Sequence, residues 1–373
     1  MSYRNTYACI NLTNISNNIK KVINKYNDYK YYIGVVKADS YGHYGLRVVK
    51  SIIDGGCNYL AVSSLDEALV IRKKFNIPIL CLGIINEKYL KICEKNNIDV
   101  TVTNYDYFNK IKNYNLNIHL KIDTGMNRLG IKEKDEFNQI INEIKNSNLN
   151  LKGIFTHIYE GSNKESTKKQ IDKFIEITKD IDLSKIPIVH IAQSDTLINY
   201  PKIPFCNGCR LGIIMYGLTG NLDFSNTFSL ISEIIEIKTV KKGEIVSYNG
   251  TYKADSDIKI GIVSIGYADG INRKMTGSYV YINNKKYQII GTICMDMLMV
   301  KIDDSVNLHS KVYIYKDIEH IKYLSNYLNT IPYELICGVS KRVARVYKSW
   351  NKFISTFLNW NLNRTKRCGF LIE

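Results

Sequence analysis

The sequence predicts an α/β fold: a (β/α)8 TIM-type barrel followed by a second, mainly antiparallel β domain. Three observations predict it. Between residue 31 and about 217, short apolar runs alternate with segments of helical spacing, eight runs in all. After about residue 228 the texture turns to strands and hairpin-like turns. A chain of 373 residues is also too long for one small domain and suits a large barrel plus a smaller unit. These shifts place the barrel at 1–227, the β domain at 228–350 and a tail without usable pattern at 351–373. The first strand, about 7–12, is open to pairing with the C-terminal domain.

The eight runs are YYIGVVK (31–37), YLAVSS (59–64), IPILCLGI (77–84), DVTVTN (99–104), NIHLKID (117–123), LKGIFTH (151–157), IPIVHIAQ (186–193) and CRLGIIM (209–215). Helical patterns lie between them. Leu65, Ala68, Leu69 and Arg72 share one face at helical spacing, and 135–147 and 164–181 read the same way. An open doubly wound sheet shows the same alternation, but eight strands is the count of the closed barrel. In the C-terminal part, FSLISEIIEIKTVKKGEIVSY, IKIGIVSIGYADG and YVYINNKKYQIIGTICMDMLMVKI are β-rich, with hairpin-like turns at Lys242-Gly243 and Asn283-Asn284. One helix, HIKYLSNYLN (320–329), precedes the last strand.

Composition narrows the class. Hydrophobic residues make up 45% and charged residues 23%, as in a globular chain. There is no run of about 18 apolar residues to span a membrane. The start, MSYRNTYACINLTNIS, lacks a signal peptide's apolar core, so a cytoplasmic protein is expected. Nine scattered cysteines argue for reduced thiols. The close pair Cys206 and Cys209 has no second pair at zinc-ribbon spacing, so no metal is expected. The net charge of +16 is spread along the chain without a dense basic run. That fits a surface attractive to small anions better than a nucleic-acid binder.

Barrel chemistry gathers at the carboxyl ends of the strands. Strand one delivers Lys37, which either reaches solvent at the rim or is a desolvated lysine able to form a Schiff base. Tyr41 follows it. Strand five ends in Lys121-Ile122-Asp123-Thr124-Gly125-Met126-Asn127-Arg128, strand six in Thr156-His157, and strand seven in Gln193-Ser194-Asp195, with Ser194 a plausible helix N-cap. Strand eight carries Arg210-Leu211-Gly212-Ile213. Singly these residues pass as salt-bridge partners, a core histidine, a cap and a turn. Together they ring one rim with cations, and Ser194, Gly212 and Ile213 fall where barrels bind phosphate. A lysine opposite a phosphate site points to pyridoxal phosphate.

The motifs VVKADSYGHYG, LKIDTGMNRLG, IFTH, CRLGIIMYGL, VSIGYADG, GTICMDMLMV and SKRVARVY resemble the motif set of alanine racemases, in order, from about Tyr7 to Tyr347. The resemblance implies a homodimer that uses pyridoxal 5′-phosphate to interconvert L- and D-alanine, supplying D-alanine for peptidoglycan. It implies that Lys37 is the Schiff-base lysine and one catalytic base, and that Tyr267, from the partner subunit, is the opposite-face base. Arg210 would face the pyridine nitrogen, and His157 would sit against the ring and link Arg210 to the tyrosine network. Arg128 would contact the phenolic oxygen and the substrate carboxylate. Tyr41, Ser194, Tyr347 and the backbone of Gly212 and Ile213 would hold the phosphate. The backbone N–H of Met295 in the partner would meet the substrate carboxylate, and Lys121 matches a position often carbamylated. Racemisation needs an acid and a base on opposite faces of one carbon, and a tyrosine serves only if neighbours stabilise its phenolate.

Three positions depart from the family pattern: Tyr44 in place of a usual glycine, Gln193 in place of asparagine, and the stretch Ile158-Tyr159-Glu160-Gly161-Ser162. The last leaves a serine or broad-specificity racemase as an alternative. A fold-related decarboxylase of basic amino acids is disfavoured by the Tyr267 motif and SKRVARVY. A non-catalytic cofactor-binding protein is disfavoured by the β domain, which such proteins lack.

Overall fold

The computed structural model describes residues 3–219 and 224–349; the tail expected from 351 lies outside them. The chain divides into two units. Among the described residues, one comprises Ile15–Tyr41 and Gly45–Ser225, the other those up to Asn14, Gly42–Tyr44 and 226–349.

Strands are numbered along the chain, so β1 (Tyr7–Asn11) belongs to the second unit. The first unit is a closed barrel of eight parallel strands: β2 (Tyr31–Val35), β3 (Tyr59–Val62), β4 (Ile79–Cys81), β5 (Ile98–Val102), β6 (Asn117–Lys121), β7 (Asn150–Phe155), β8 (Ile188–His190) and β9 (Gly208–Leu211). β9 closes on β2 with Tyr31 opposite Gly208 and Ile33 opposite Arg210. The expected barrel is therefore the observed one. Side chains of a strand alternate between faces, so every second residue fills the lumen. Ile33, Val35, Tyr59, Ala61, Leu80 and Ile188 form one buried apolar cluster. At alternate positions elsewhere Asp99, Thr101, His119, Lys121, His190 and Arg210 are also buried. A lumen that is partly polar must satisfy those groups internally.

The helices run Lys134–Ile144 and Lys164–Thr178 where 135–147 and 164–181 were expected. In the helix Leu65–Arg72 the buried positions are Ala68 and Ile71, not the whole face expected from Leu65, Ala68, Leu69 and Arg72. Arg72 instead turns to the carbonyls of Phe75, Asn96 and Asn97.

The second unit is β-rich: β10 (Phe228–Val240), β11 (Ile245–Val246), β12 (Tyr252–Lys253), β13 (Ile258–Val263), β14 (Tyr279–Ile282), β15 (Lys285–Ile290), β16 (Leu298–Ile302), β17 (Lys311–Tyr315) and β18 (Ala344–Lys348). The long β10 pairs with β17 through its first half and with β13 through its second. Six strands, β10, β13, β16, β15, β14 and β17, thereby close on themselves, and β1 joins β10 antiparallel and β18 parallel. Asn283 and Asn284, both left-handed at φ 49 and 64, make the two-residue turn between β14 and β15. The turn at Lys242-Gly243 does not join a β10 hairpin. It leads into the ribbon of β11 and β12, while Val240, Ile258 and Ile260 share one apolar cluster that selects β13 as β10's partner. The helix expected at 320–329 spans Ile318–Tyr327.

Candidate active site

Lys37 does not close β2; the strand ends at Val35, and Lys37 opens a turn. Ala38, Asp39, Ser40 and Tyr41 all hold φ between 51 and 56. Left-handed backbone costs a residue with a Cβ roughly 1–2 kcal/mol, so four in succession need outside support. Glu67 supplies part of it. Its carboxylate accepts the N–H of Ala38 at 2.7 Å on one oxygen, and Ser63 N at 2.8 Å and Ser63 Oγ at 2.9 Å on the other. Strain that the surroundings over-determine is typical of functional sites.

Arg128 is carried by a loop that Asp123 organises. Asp123 accepts the backbone N–H groups of Gly125 and Asn127 at 3.0 Å and of Arg128 at 3.1 Å. Gly125 sits at φ 130, and a Cβ on Gly130 would lie 2.7 Å from Asp123 N, so the DTG and LG of this motif are backbone requirements.

Arg210 is buried on β9 and tightly held. NH1 donates to His190 Nδ1 and His190 O, both at 2.8 Å, and NH2 to Thr156 O at 2.8 Å, Ile191 O at 3.0 Å and His157 Nδ1 at 3.4 Å. Its Nε donor is given no acceptor by the described residues. Burial, then Arg210, Arg128, Lys121 and Lys37, push His157 down to about 3, so its imidazole is neutral. Burial, then Arg128 and Arg210, bring Lys121 down to about 8, against the pull of Asp123. Lys37, Lys121, Arg128 and Arg210 thus share one field around His157.

Ser194 is not the N-cap of its helix. Gln193 is, accepting Asp195 N at 2.6 Å through its side-chain oxygen. The longer glutamine arm reaches the cap position and frees Ser194, whose Oγ accepts Gly212 N at 3.1 Å and Ile214 N at 3.4 Å. A hydroxyl that accepts twice still has its proton to donate. A Cβ on Gly212 would lie 3.1 Å from Tyr41 Oη and 3.6 Å from Ser194 Oγ, so the glycine leaves a cradle lined by both. Two of the departures also adjoin: a Cβ on Gly161 would meet Gln193 Nε2 at 2.8 Å.

Tyr267, Met295 and Tyr347 belong to the second unit. Tyr267 is 42% exposed and Met295 52% exposed. Their loops interlock: Tyr267 N and Ala268 N donate to Cys294 O and Met295 O, both at 3.0 Å. Asp269, fully buried, takes a forked pair from Arg4 and the N–H of Gly266. Arg342 bridges the loops, with Nε 3.2 Å from Asp269 and NH2 2.7 Å from Asp296. Tyr347 on β18 donates to Tyr44 O at 3.0 Å. Tyr44 tolerates φ 60, where the family usually has glycine, with its ring under the Arg345 guanidinium at 4.1 Å.

Residues 10–220 match the model of the alanine racemase N-terminal domain, and residues 227–347 that of the alanine racemase C-terminal domain. The chain belongs to the alanine racemase family. The alanine racemase of Anoxybacillus flavithermus is 35% identical over 368 residues, covering 92% of this chain and 95% of that protein. The crystal structure of alanine racemase from Bacillus anthracis with bound L-Ala-P is 30% identical, with a TM-score of 0.87 over 94% of this chain and 97% of that one. The alanine racemase of Bartonella henselae with covalently bound pyridoxal phosphate, 22% identical at a TM-score of 0.84 over 92% and 99% of the two chains, shares the fold.

Pyridoxal phosphate, the cofactor of alanine racemases, fits the residues present. Tyr41 Oη, the Ser194 hydroxyl and the backbone at Gly212 line a cradle that a Cβ would fill, and a ring nitrogen is a natural acceptor for the Arg210 Nε donor. Lys37, Lys121, Arg128 and Arg210, all acting on His157, suit a dianionic, phenolic ligand.

Sequence reasoning passed over Glu67, Asp123, His119 and His190. Glu67 had a visible signal, the Ser64-x-x-Glu67 capping box, although only Ser64 caps in the usual way, accepting Glu67 N at 3.4 Å. Asp123 had one in Asp-Thr-Gly. The two histidines stood out only as polar residues inside apolar strands.

Proposed function

We propose that the protein interconverts L- and D-alanine by a two-base mechanism dependent on pyridoxal phosphate, supplying D-alanine for peptidoglycan in the cytoplasm. The observation that carries this reading is the field of Lys37, Lys121, Arg128 and Arg210 around the neutral His157, beside the cradle of Tyr41, Ser194 and Gly212.

When bound, the cofactor draws electrons from the substrate's Cα and so acidifies its proton. Lys37 Nζ would hold the cofactor and then exchange that proton on one face. Tyr267 Oη would deliver or remove it on the other. Tyr41, Ser194 and the backbone of Gly212 and Ile213 would take the phosphate, with Tyr347 joining them on turning its hydroxyl proton from Tyr44 O, and Arg210 would meet the ring nitrogen through Nε. A guanidinium stays protonated, so it donates there without yielding a proton, which limits how strongly the ring pulls and restrains side reactions. Arg128 would grip the substrate carboxylate, with the Met295 backbone N–H. The neutral His157 would transmit the Arg210 charge towards the tyrosine.

We further propose that the working unit is a two-fold dimer in which Tyr267 and Met295 serve the partner's Lys37. Their exposure in the single chain supports this, since a catalytic phenol needs a desolvated, stabilised setting.

The test is optical rotation of L-alanine and L-serine incubated with the purified protein and cofactor. Loss of rotation for alanine, faster than for serine, is expected. Stable rotation of both refutes the reading, and faster loss for serine favours the serine alternative. Borohydride should fix the cofactor to Lys37; an adduct on another lysine overturns the assignment of that residue.

A further inference from the structure

Beneath Arg210 the barrel lumen holds a chain of titratable side chains that the mechanism above leaves unused. Arg210 NH1 lies 2.8 Å from His190 Nδ1, and His190 Nε2 lies 3.1 Å from His119 Nδ1. His119 Nε2 lies 3.3 Å from Tyr59 Oη and 3.7 Å from Asp99 Oδ2. Tyr59 donates to Asp99 Oδ2, and Asn117 donates to Asp99 Oδ1 at 3.1 Å. Tyr59, Asp99, His119, His190 and Arg210 are each at most 3% exposed.

The direction of every bond follows from one fact: a guanidinium only donates. His190 Nδ1 must therefore accept. A neutral His190 then carries its proton on Nε2 and donates to His119 Nδ1, which must also be bare. His119 in turn carries its proton on Nε2 and points it at Tyr59 and Asp99. Reversing any one bond would set two donors against each other at the next.

We propose that Tyr59, Asp99, His119 and His190 form a one-way hydrogen-bond wire through which the Asp99 carboxylate acts as remote counter-charge to Arg210 and fixes its guanidinium in place. Its bearing on the reaction rests on the reading of Arg210 given above; the order of the bonds does not.

Three observations support it. A buried guanidinium without a compensating charge is costly, and the other partners of Arg210 among the described residues are carbonyls, the neutral His157 and the buried thiols of Cys206 and Cys209. Burial pushes Asp99 up, yet the bond and electrostatic pull of His119, with bonds from Tyr59 and Asn117, outweigh it and hold the carboxyl below its usual range, while burial, Arg210 and His119 keep His190 well below the usual imidazole range. The ends are charged and the second link is neutral. The wire also has room reserved for it: a Cβ on Gly153 would lie 2.4 Å from His119 Nδ1. Phe155 stacks on His190 at 4.6 Å and 10°, which fixes that ring.

The test is nitrogen-15 NMR of the holoenzyme labelled at histidine, with His119→Gln and His190→Gln used only for assignment. Both rings should be neutral, protonated on Nε2 and bare on Nδ1. A proton on Nδ1 of either ring, or a doubly protonated ring, overturns the wire whatever the protein catalyses, and the tautomers themselves are read on the wild-type chain. Asp99→Asn should then shift the visible absorption of the bound cofactor and lower kcat about tenfold by displacing Arg210, with little change in KM. Unaltered absorption and kcat in a folded Asp99→Asn protein would overturn the positioning role. Absence of racemase activity in the wild type would instead refute the proposed function and leave the tautomers as they were measured.

Discussion

At the scale of single residues, the fold depends on buried histidines that must stay neutral. His190 accepts from Arg210 at Nδ1, and in the second unit His320 Nδ1 accepts the backbone N–H of Lys316 at 3.3 Å. Burial pushes His320 down to about 4 and His190 well below its ordinary value. In the unfolded chain both titrate near 6.5. Below that pH the unfolded state binds more protons than the native one, so stability falls as pH falls. Each histidine should remove roughly 1.4 kcal/mol per pH unit until its folded pKa is reached. Urea midpoints measured at about pH 7, 6 and 5 should decline steadily; a flat series contradicts the neutral assignment. The residues that do this work were only partly legible. Lys37, Arg128, His157 and Arg210 stood out by type and position at strand ends. His119 and His190 did not, because a polar residue in an apolar strand declares its partner only when the strands are paired.

At the scale of elements, short loops hold the chemistry to tolerance. The turn after β2 is left-handed through four residues, and Glu67 from the next strand–helix unit anchors its first N–H. The loops at 266–269 and 294–297 are tied by two backbone bonds and by Arg342, which reaches the aspartate of each. Arg342→Met should let these loops separate. We expect kcat for racemisation to fall roughly 10- to 100-fold, as a misplacement near 1 Å costs. Cofactor absorption should stay intact, since Arg342 is not among the residues assigned to the cofactor and its ion pairs among the described residues are with Asp269 and Asp296. Wild-type kcat in this variant would show that the clamp has no role. The Gly266→Ala variant acts on the same contact, because its Cβ would lie 2.4 Å from Cys294 O and Met295 O. It should lose activity and stability together, seen as a lower thermal midpoint.

At the scale of the whole molecule, Lys37 lies in one unit and Tyr267 in the other, and the proposed dimer takes one from each chain. Lys37→Ala and Tyr267→Phe should each lose about 10²-fold or more in activity. Mixed under conditions of subunit exchange, they give a dimer in which one site inherits both defects and the other neither. Random pairing makes about half the dimers mixed, so about a quarter of wild-type activity should return. Had both groups come from one chain, every site would keep a defect and mixing would restore nothing. No recovery despite demonstrated exchange therefore rules out the shared site.

What the sequence determined by itself is what local periodicity and residue type carry. Eight apolar runs at barrel spacing, the shift to strands after residue 228, and the order of Lys37, Arg128, His157, Ser194, Arg210 and Tyr267 are properties of the chain read in one direction. Each reflects a demand that one residue or one turn makes on its surroundings. Only the tertiary structure decided which demands meet. Ser194 became an acceptor for Gly212 rather than a cap, β10 chose β13 over its near neighbour, and Glu67 reached Ala38 instead of closing its own capping box. Asp99, His119, His190 and Arg210 come from four strands, and the barrel's closure lines up their inward faces. Such pairings are non-local: a strand's alternation says which side chains face inward, but the stagger between strands sets which of them touch.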